Sequence, residues 1–546
     1  MKFSSLSSVM WGSKPNLYFL SMLLGGVSGI GYALLIPFIM YGVNSVISIP
    51  DKIGLENTHI FDSPTRSLAM VFFVTCAAVM STKAVSMLVS AYVASKANFH
   101  LKVGLYNAVS QLSYARLLSL GQSKIVNLIS VDVPEIINAA INISTIMTNL
   151  FAIVGCLAYL FFINVKIFVF VLLCLLVFGF VYQIIVSLSI KHFSASRAEV
   201  DKTQEGVRGL IFGVKELKLN EEKLEHYLRQ QLTWPESSSY RHRMKGFRVW
   251  SVAESYGSIV AFLVVGVTVF HIPYVLSVSS TELFGVVMAL LYLTSPVGSL
   301  LMGVGQLAPG KVALSRLNEF YRLYRPESVG SASLNSSDVS NISLRNVCFE
   351  YPSNSSAFCL SNINIKFEEG KVTFIVGGNG SGKSTLAKII TTHQAPTSGA
   401  LYFNDEMISP ENLGSAREKI SAIYMDFFLF NRIFQSYDEY KANEYLSLLG
   451  MNEKVNLKDG SFSTLGLSDG QRKRLALFCL LLENTKICLF DEWAADQDPD
   501  FKEIFYRDIL PMLKEKGKIV IVISHDDRYF DCADQLIRLD YGCIVD

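Results

Sequence analysis

Charge is scarce in this chain of 546 residues, because Asp, Glu, Lys and Arg make up only 17% of it, against about 25% in a typical soluble protein. The 48 basic and 47 acidic residues nearly cancel, so no overall field attracts nucleic acid and no such partner is expected. The nine cysteines form no C-x-x-C pair, which argues against a disulfide framework or a zinc site. The mean hydropathy of +0.35 instead indicates a large membrane-embedded part.

Six apolar segments are long enough to cross a bilayer, which takes about 20 residues of helix. The first is longer than the roughly 7–15-residue core of a signal peptide, so we expect a retained helix. Within it, Gly25 and Gly29 have the small-xxx-small spacing that lets membrane helices pack closely. The short link around Asn164 predicts a tight hairpin between the third and fourth segments. The segments are 17–49, 67–95, 136–162, 165–190, 250–272 and 282–306.

Lys and Arg residues are concentrated in two loops, 96–135 and 188–248. By the positive-inside rule, these loops, the N-terminus and the C-terminal part lie on the cytoplasmic side. Leucines recur at helical spacing in both loops, and no Gly or Pro interrupts the chain at the membrane edge near 94–101. We therefore expect the second to fifth spans to continue below the membrane as helical rods. Separate cytoplasmic helical hairpins are the alternative.

A change in composition divides the chain into a membrane domain, 1–325, a Ser-rich linker, 326–340, and a soluble domain, 341–546. In the soluble domain, short apolar runs alternate with helical patterns, and three runs are nearly continuous, as in buried parallel strands. The predicted fold is therefore a six-helix membrane domain followed by an α/β nucleotide-binding domain. The three runs are 372–376, 487–490 and 519–523.

The soluble domain contains a motif of the form G-x-x-x-x-G-K-[ST], between a predicted strand and a predicted helix. Its glycines let backbone N–H groups turn toward phosphates, Lys383 brings positive charge to them, and Ser384 can ligate Mg²⁺. The helix N-terminus adds its dipole. The motif therefore predicts binding of ATP and Mg²⁺. The predicted ATP-binding residues are Gly377, Gly378, Asn379, Gly380, Ser381, Gly382, Lys383, Ser384 and Thr385.

Two carboxylates end the apolar run at 487–490. An apolar strand that ends in Asp and Glu is a weak signal alone, but downstream of a phosphate-binding loop it becomes a strong one. Asp491 is predicted to hold Mg²⁺, and Glu492 to orient or deprotonate the attacking water. Together with the loop, this pair predicts ATP hydrolysis.

A third motif, Leu467-Ser468-Asp469-Gly470-Gln471, precedes a basic helical run. A Ser and a Gly before a helix can present N–H groups to an anion. The motif resembles the L-S-G-G-Q signature of ATP-binding-cassette (ABC) transporters, and the whole chain resembles their half-size exporters. The resemblance implies that Ser468, Asp469, Gly470 and Gln471 meet ATP bound to a second chain. Asp469 replaces a glycine and would repel phosphate, so we expect its side chain to point away.

The same resemblance assigns residues outside these motifs. It implies that Tyr351 stacks on adenine, that Asp498 lies in the loop crossing the dimer interface, and that His525 contacts the γ-phosphate as part of the catalytic site. Where the family usually has a glutamine that senses Mg²⁺, this chain has Met425, followed by Asp426. Either Asp426 takes over the metal contact or metal sensing is relaxed.

Phe490-Asp491-Glu492-Trp493 and the pair Asp496-Gln497 resemble the cyclic-peptide exporter group, of the pyoverdine and syringomycin exporter type. This implies an ATP-driven exporter in the bacterial inner membrane, working as a homodimer or with a related half-transporter. Its cargo would be peptide-like or amphipathic, such as a siderophore, a lipopeptide or a microcin-like peptide. A lipid or multidrug flippase, and a membrane-anchored ATPase switch that moves no cargo, are the alternatives. With no added N-terminal peptidase segment, processing of a leader peptide is not expected.

Lys83 in the second predicted span and Glu254 in the fifth are charged residues at similar depth on the cytoplasmic side. Charges within spans usually mark a pathway or a pair. The hypothesis is an inward-open cargo cavity in which these two side chains face each other or the cargo. The alternatives are that Lys83 reaches the lipid headgroups, or that the two form a structural ion pair.

Overall fold

A computed structural model describes residues 4–47, 64–275, 278–330, 332–335, 338–351 and 358–545. The last two residues of the first predicted span and part of the predicted linker lie outside this set. The chain forms two compact units. The first comprises Met1–Asn107 and Ser123–Leu323, and the second comprises Ala108–Gln122 and Tyr324–Asp546. A short segment between the second and third spans therefore belongs with the C-terminal part.

Long helices build the first unit, and among the described residues six helical stretches are long and apolar enough to cross a membrane, as predicted. Two π-helical turns, Leu128–Asp132 and Leu228–Thr233, continue directly into the helices that follow them. The helices up to residue 323 are α1 Leu6–Ser13, α2 Pro15–Ile47, α3 Pro64–Ser110, α4 Tyr114–Leu120, α5 Gln122–Asn127, α6 Val133–Ile163, α7 Val165–Phe212, α8 Val214–Lys218, α9 Glu221–Tyr227, α10 Trp234–Phe270, α11 Ile272–Val275 and α12 Ser280–Leu323.

The helices of the second and fourth spans, α3 and α7, are much longer than a bilayer is thick. α3 has 47 residues and α7 has 48, which corresponds to roughly 70 Å of helix each, against about 30 Å of hydrocarbon core. α3 passes through 94–101 without a break. The predicted rods are therefore confirmed for these helices, and the alternative of separate hairpins is excluded there.

Glycine allows α2 to approach α6 closely. A Cβ atom at Gly29 would lie 2.4 Å from the carbonyl oxygen of Thr148, and one at Gly25 would lie 2.4 Å from the hydroxyl oxygen of the same threonine. A larger side chain at either position would push the helices apart, as the small-xxx-small spacing predicted. Asn164 separates α6 from α7, and its side chain accepts from two backbone N–H groups at the start of α7, which forms the predicted hairpin.

The second unit contains a six-stranded sheet, a four-stranded antiparallel sheet and a two-stranded hairpin. The strands are β1 Asn341–Glu350, β2 Cys359–Glu368, β3 Lys371–Val376, β4 Ser398–Phe403, β5 Glu406–Met407, β6 Ile420–Ile423, β7 Leu457–Lys458, β8 Ser461–Phe462, β9 Ile487–Asp491, β10 Ile519–Ile523, β11 Gln535–Asp540 and β12 Cys543–Val545. The α-helices are α13 Lys383–Ile390, α14 Leu413–Arg417, α15 Glu439–Leu448, α16 Asp469–Glu483, α17 Pro499–Ile504 and α18 Leu510–Glu515.

The order of strands in the larger sheet is β12-β11-β3-β10-β9-β6, and all its pairs are parallel except β11 with β12. All residues of β9 and β10 are buried, as their continuous apolar runs predicted. β10 pairs with both β3 and β9, so Ile523 lies opposite Ile375 on one side and Asp491 on the other. The carboxyl ends of three neighbouring strands therefore meet at one edge, the usual place for a ligand in an α/β sheet.

The short helix α4 packs within the second unit. The ring of Tyr114 meets the ring of His393 edge-on at 6.0 Å between centroids, and Lys388 Nζ lies 5.6 Å from the Tyr114 centroid. His393 Nδ1 is 3.0 Å from the hydroxyl of Tyr424, which lies just after β6. A segment that follows the second span is thus in contact with residues beside α13 and β6.

Candidate functional site

The phosphate-binding loop connects β3 to α13 through glycines in conformations that other residues rarely adopt. Gly377 has φ 154° and Gly382 has φ 106°, within the region that favours glycine. A Cβ atom at Gly377 would lie 2.1 Å from the carbonyl oxygen of Leu539, and one at Gly382 would lie 2.6 Å from Phe358. The motif therefore requires glycine both for its backbone and for its close packing.

Lys383 begins α13 and folds back over the loop. Its Nζ donates to the carbonyl oxygens of Gly377 at 2.8 Å and Gly378 at 2.9 Å. Burial lowers the pKa of this lysine, while Glu492 and Asp491 act in the opposite direction. A cation held by two backbone carbonyls at a helix N-terminus can exchange these contacts for phosphate oxygens.

Asp491 ends β9 in a buried position. Burial first, and then Glu492, raise the pKa of Asp491 to about 6, while hydrogen bonding by Ser384 acts in the opposite direction. Within the described residues, Asp491 Oδ1 is buried without a hydrogen-bond partner. An unpartnered carboxylate oxygen next to a serine hydroxyl is a donor set that suits Mg²⁺, which takes hard oxygen ligands together with phosphates.

Glu492 and His525 follow two adjacent strands and meet at the sheet edge. His525 Nε2 lies 3.1 Å from Glu492 Oε1. Glu492 has φ 51°, a conformation that is costly for a residue other than glycine and is concentrated at functional positions. The carbonyl oxygen of Glu492 accepts a hydrogen bond of 3.2 Å from Lys473 Nζ. The two predicted catalytic residues are thus brought together, and Glu492 is held by a contact that the sequence did not indicate.

A cavity of about 360 Å³ lies over the phosphate-binding loop. Tyr351 is at its rim, with its hydroxyl 3.2 Å from the hydroxyl of Thr385. Phe358, which no sequence motif indicated, supplies a second aromatic ring, and Glu492 also lines the cavity. The protein residues that line it are Tyr351, Phe358, Asn379, Gly380, Gly382, Lys383, Ser384, Thr385 and Glu492.

The signature segment forms the N-terminus of α16. The hydroxyl of Ser468 accepts from the backbone N–H of Gln471, and the side chain of Gln471 accepts from the backbone N–H of Ser468, which is a capping box. Asp469 is exposed in the first turn, where the helix dipole favours a negative charge. Among the residues found along the cavity over the phosphate loop, none comes from this segment.

The loop at Asp498, which the family resemblance predicts to lie at a dimer interface, is joined to α16 by the side chain of Gln497, one of the residues that are unusual for the family. Gln497 Nε2 donates to the carbonyl oxygen of Gly470 at 2.9 Å, and Gln497 Oε1 accepts from Arg474 Nε at 3.0 Å. Arg474 also pairs with Asp498, which caps α17. We call the contacts of Gln497 with Gly470 and Arg474 the Gln497 bridge. No motif predicted it; the only signal was the atypical Asp496-Gln497 pair.

Asp426 lies in the turn after β6 and is exposed, as is Met425. Neither residue is among those that line the cavity over the phosphate-binding loop. In the described ranges, no cluster of three or more His, Cys, Asp or Glu side chains that could hold a metal ion is present. The hypothesis that Asp426 replaces the usual glutamine therefore gains no support from its position.

Lys83 and Glu254 have different surroundings. Lys83 Nζ lies over the ring of Tyr32, 5.1 Å from its centroid. Glu254 lines a pocket among α7, α10 and α12, and Lys83 does not. Among the described residues no ion pair joins these two side chains, so the alternative of a structural ion pair is not observed. The hypothesis that they face the cargo or each other across a cavity stays a prediction.

Comparison with known proteins agrees with this geometry. The ABC transporter family model matches residues 360–495. The ATP-binding protein SyrD of Pseudomonas syringae pv. syringae is 30% identical over 565 aligned positions, which cover 99% of this chain and 96% of SyrD. The chain belongs to the ABC transporter family. This membership confirms the resemblance to half-size exporters of the cyclic-peptide exporter group.

More distant relatives agree on the architecture of the transporter. An ATP-dependent lipid A-core flippase of Blochmanniella floridana is 26% identical over 341 positions, covering 59% of this chain and 58% of the flippase. A solved bacterial Atm1-family ABC exporter with ATP bound has the same fold, with a TM-score of 0.74 at 17% identity, covering 97% of this chain and 94% of that one. The transporter is thus a multi-pass membrane protein with an ATP-hydrolysing domain that drives export.

Proposed function

We propose that the transporter works as a homodimer in the bacterial inner membrane and exports a cyclic or otherwise modified peptide. The observation that carries the dimer is the position of the signature segment. Ser468–Gln471 begins a helix, yet none of its residues lines the described cavity over the phosphate-binding loop. A helix N-terminus of this kind is suited to bind phosphate, so we infer that it serves ATP bound to a second chain.

In the proposed site, the phosphate-binding loop and Lys383 hold the phosphates, and Tyr351 stacks on the base. Ser384 and Asp491 would hold Mg²⁺, which neutralises charge on the phosphates when bound. Glu492 would accept the proton of the attacking water, and His525, 3.1 Å away, would position that carboxylate beside the γ-phosphate. Asp498 would contribute to the contact between the two chains.

The role of Glu492 is tested by Glu492→Gln, which keeps the shape of the side chain and removes its capacity as a base. We expect ATP binding to be retained and turnover to fall by roughly 10²–10⁴-fold, the usual contribution of general-base catalysis. Glu515→Gln, an exposed position in the same unit, should leave both unchanged. Unimpaired turnover in Glu492→Gln would show that Glu492 is not the general base.

The peptide cargo is supported by the motifs shared with the cyclic-peptide exporter group and by the match to SyrD along nearly the whole chain. The similarity to a lipid flippase, over 59% of the chain, makes lipid transport the second candidate. Purified transporter in sealed vesicles would be assayed for ATP-dependent movement of a cyclic lipopeptide and of a fluorescent phospholipid. Movement of the lipid alone would replace the first candidate with the second. ATP hydrolysis without movement of either probe would contradict the cargo assignment.

A further inference from the structure

A pocket of about 450 Å³ lies inside the first unit, between α7, α10 and α12. Each helix contributes a stripe at helical spacing. α7 lines the pocket with Phe178 and Tyr182, α10 with Glu254 and Ser258, and α12 with Thr294, among mostly apolar neighbours. An apolar pocket with a few converging polar groups is the usual form of a small-ligand site.

Glu254 is the only charged side chain among the described residues that line this pocket. Its carboxylate has no hydrogen-bond or ion-pair partner within the part of the chain that the structure describes. Two hydroxyls of the pocket donate elsewhere: Ser258 donates to the backbone carbonyl of Glu254 at 3.1 Å, and Thr294 donates to the backbone carbonyl of Leu291 at 2.8 Å. A charge in a membrane-spanning helix is costly, so an unpaired one usually marks the path of a ligand or ion.

Three aromatic rings line the same pocket as this carboxylate. The rings of Phe178 and Tyr256 pack edge to face with their centroids 6.4 Å apart, and both line the pocket together with Tyr182. Aromatic faces attract cations, more strongly where water is excluded. One carboxylate and three rings in an apolar wall therefore complement a positive charge carried on an apolar body, and they repel an anion.

We propose that this pocket binds the ammonium or guanidinium group of an amphipathic ligand, with Glu254 as its counter-ion. The inference rests on the proposed export function, since it assigns a chemical class to the cargo. The ammonium headgroup of an ethanolamine lipid has the same chemistry, so the test must separate the cargo from the membrane.

The charge is tested with two ions of matched shape, tetraphenylphosphonium and tetraphenylborate. Equilibrium binding would be measured on the full transporter in nanodiscs of phosphatidylglycerol, whose headgroup carries no ammonium, and corrected with empty discs. We expect the cation to bind and the anion not to bind. Glu254→Gln should weaken binding of the cation by roughly 10–100-fold, the effect of losing one contact with a charged group. Glu205→Gln, an exposed position on α7 outside the pocket, should have no effect.

The location is tested by filling the pocket. Gly298 lines it, and a Cβ atom there would have no neighbour within 4 Å, so Gly298→Leu should occupy the space without strain and abolish binding of the cation. Gly266 on α10 has equally open surroundings but does not line the pocket, and Gly266→Leu should bind normally. Unchanged binding in both Gly298→Leu and Glu254→Gln, or equal binding of the two ions, would overturn the proposal.

Adding phosphatidylethanolamine to the discs distinguishes the two possible sources of the ammonium group, the cargo and the lipid headgroup. If phosphatidylethanolamine competes with tetraphenylphosphonium, the pocket binds the lipid headgroup. If it does not compete, the pocket binds the cargo. Basal ATP hydrolysis is measured in every sample. Charge-independent binding with intact hydrolysis would refute this inference alone, whereas absence of hydrolysis and transport in the unmodified transporter would refute the proposed function.

Discussion

The two candidate sites of this chain are built in different ways. The site in the second unit depends on backbone: glycines at φ 154° and 106°, strand ends in register, and a helix N-terminus. The pocket in the first unit depends on side chains from three long helices. Backbone geometry tolerates few residue types at each position, whereas a side-chain wall can change residue by residue. We therefore expect the first site to be intolerant of substitution and the second to set cargo preference.

The largest effect is expected at Lys383. Its Nζ is the buried cation of the phosphate-binding loop, and Lys383→Ala should weaken ATP binding by at least about a hundredfold, because contacts with charged groups contribute roughly 1.5–3 kcal/mol each. Titration with a fluorescent ATP analogue would measure this. Lys454→Ala, at an exposed position of the same unit, is the control. If Lys383→Ala changed the affinity for ATP only slightly, the phosphate-binding loop would be more tolerant of substitution than we expect.

A second large effect is expected from pH. The pKa of Asp491 is raised to about 6, and only the ionised carboxylate can bind Mg²⁺. Lowering the pH from 7 to 5 protonates most of this carboxyl, so the apparent affinity for Mg²⁺ in the presence of ATP should fall by about tenfold. The matched variant Asp491→Asn has no carboxyl group to titrate at this position, so it shows how much of the pH dependence comes from protonation of ATP itself. An equal pH dependence in both proteins would contradict the assignment of Asp491 as a ligand.

A smaller effect is expected from the Gln497 bridge. Gln497→Leu leaves the carbonyl of Gly470 and the Nε of Arg474 without these partners, which should loosen the signature segment relative to the interface loop. We expect turnover to fall by about 3–10-fold with little change in the affinity for ATP. Gln394→Leu, away from the bridge, is the control. A change in ATP affinity with unchanged turnover would argue against a positioning role.

The smallest effect is expected at Lys83. This side chain lies over the ring of Tyr32 and does not line the pocket that contains Glu254. Lys83→Ala should therefore change ATP-dependent transport less than Glu254→Gln does. Both variants would be compared in the same vesicle assay at equal rates of ATP hydrolysis. A larger loss of transport in Lys83→Ala than in Glu254→Gln would indicate that Lys83 contacts the cargo.

How much the sequence could predict differs between contacts that the backbone sets and contacts that side chains set. The phosphate-binding loop, Asp491, Glu492 and His525 follow strands whose apolar runs are plain, so their meeting point was predictable from the edge of a parallel sheet. The Gln497 bridge joins residues 27 apart along the chain through side chains, and no pattern encodes that contact. The surroundings of Lys83 and Glu254 likewise depend on how the helices pack, which the hydropathy of the sequence does not reveal.

The central claim is that ATP is held between two copies of this chain, and a cross-link tests it most directly. Asn379 in the phosphate-binding loop and Asp469 in the signature segment are both exposed. A transporter with Asn379→Cys, Asp469→Cys and Glu492→Gln would be treated with a short thiol cross-linker, and each single cysteine variant would serve as control for the native thiols. We predict a product of twice the chain mass that requires both cysteines, ATP and Mg²⁺. Absence of that product while ATP is bound would contradict the account.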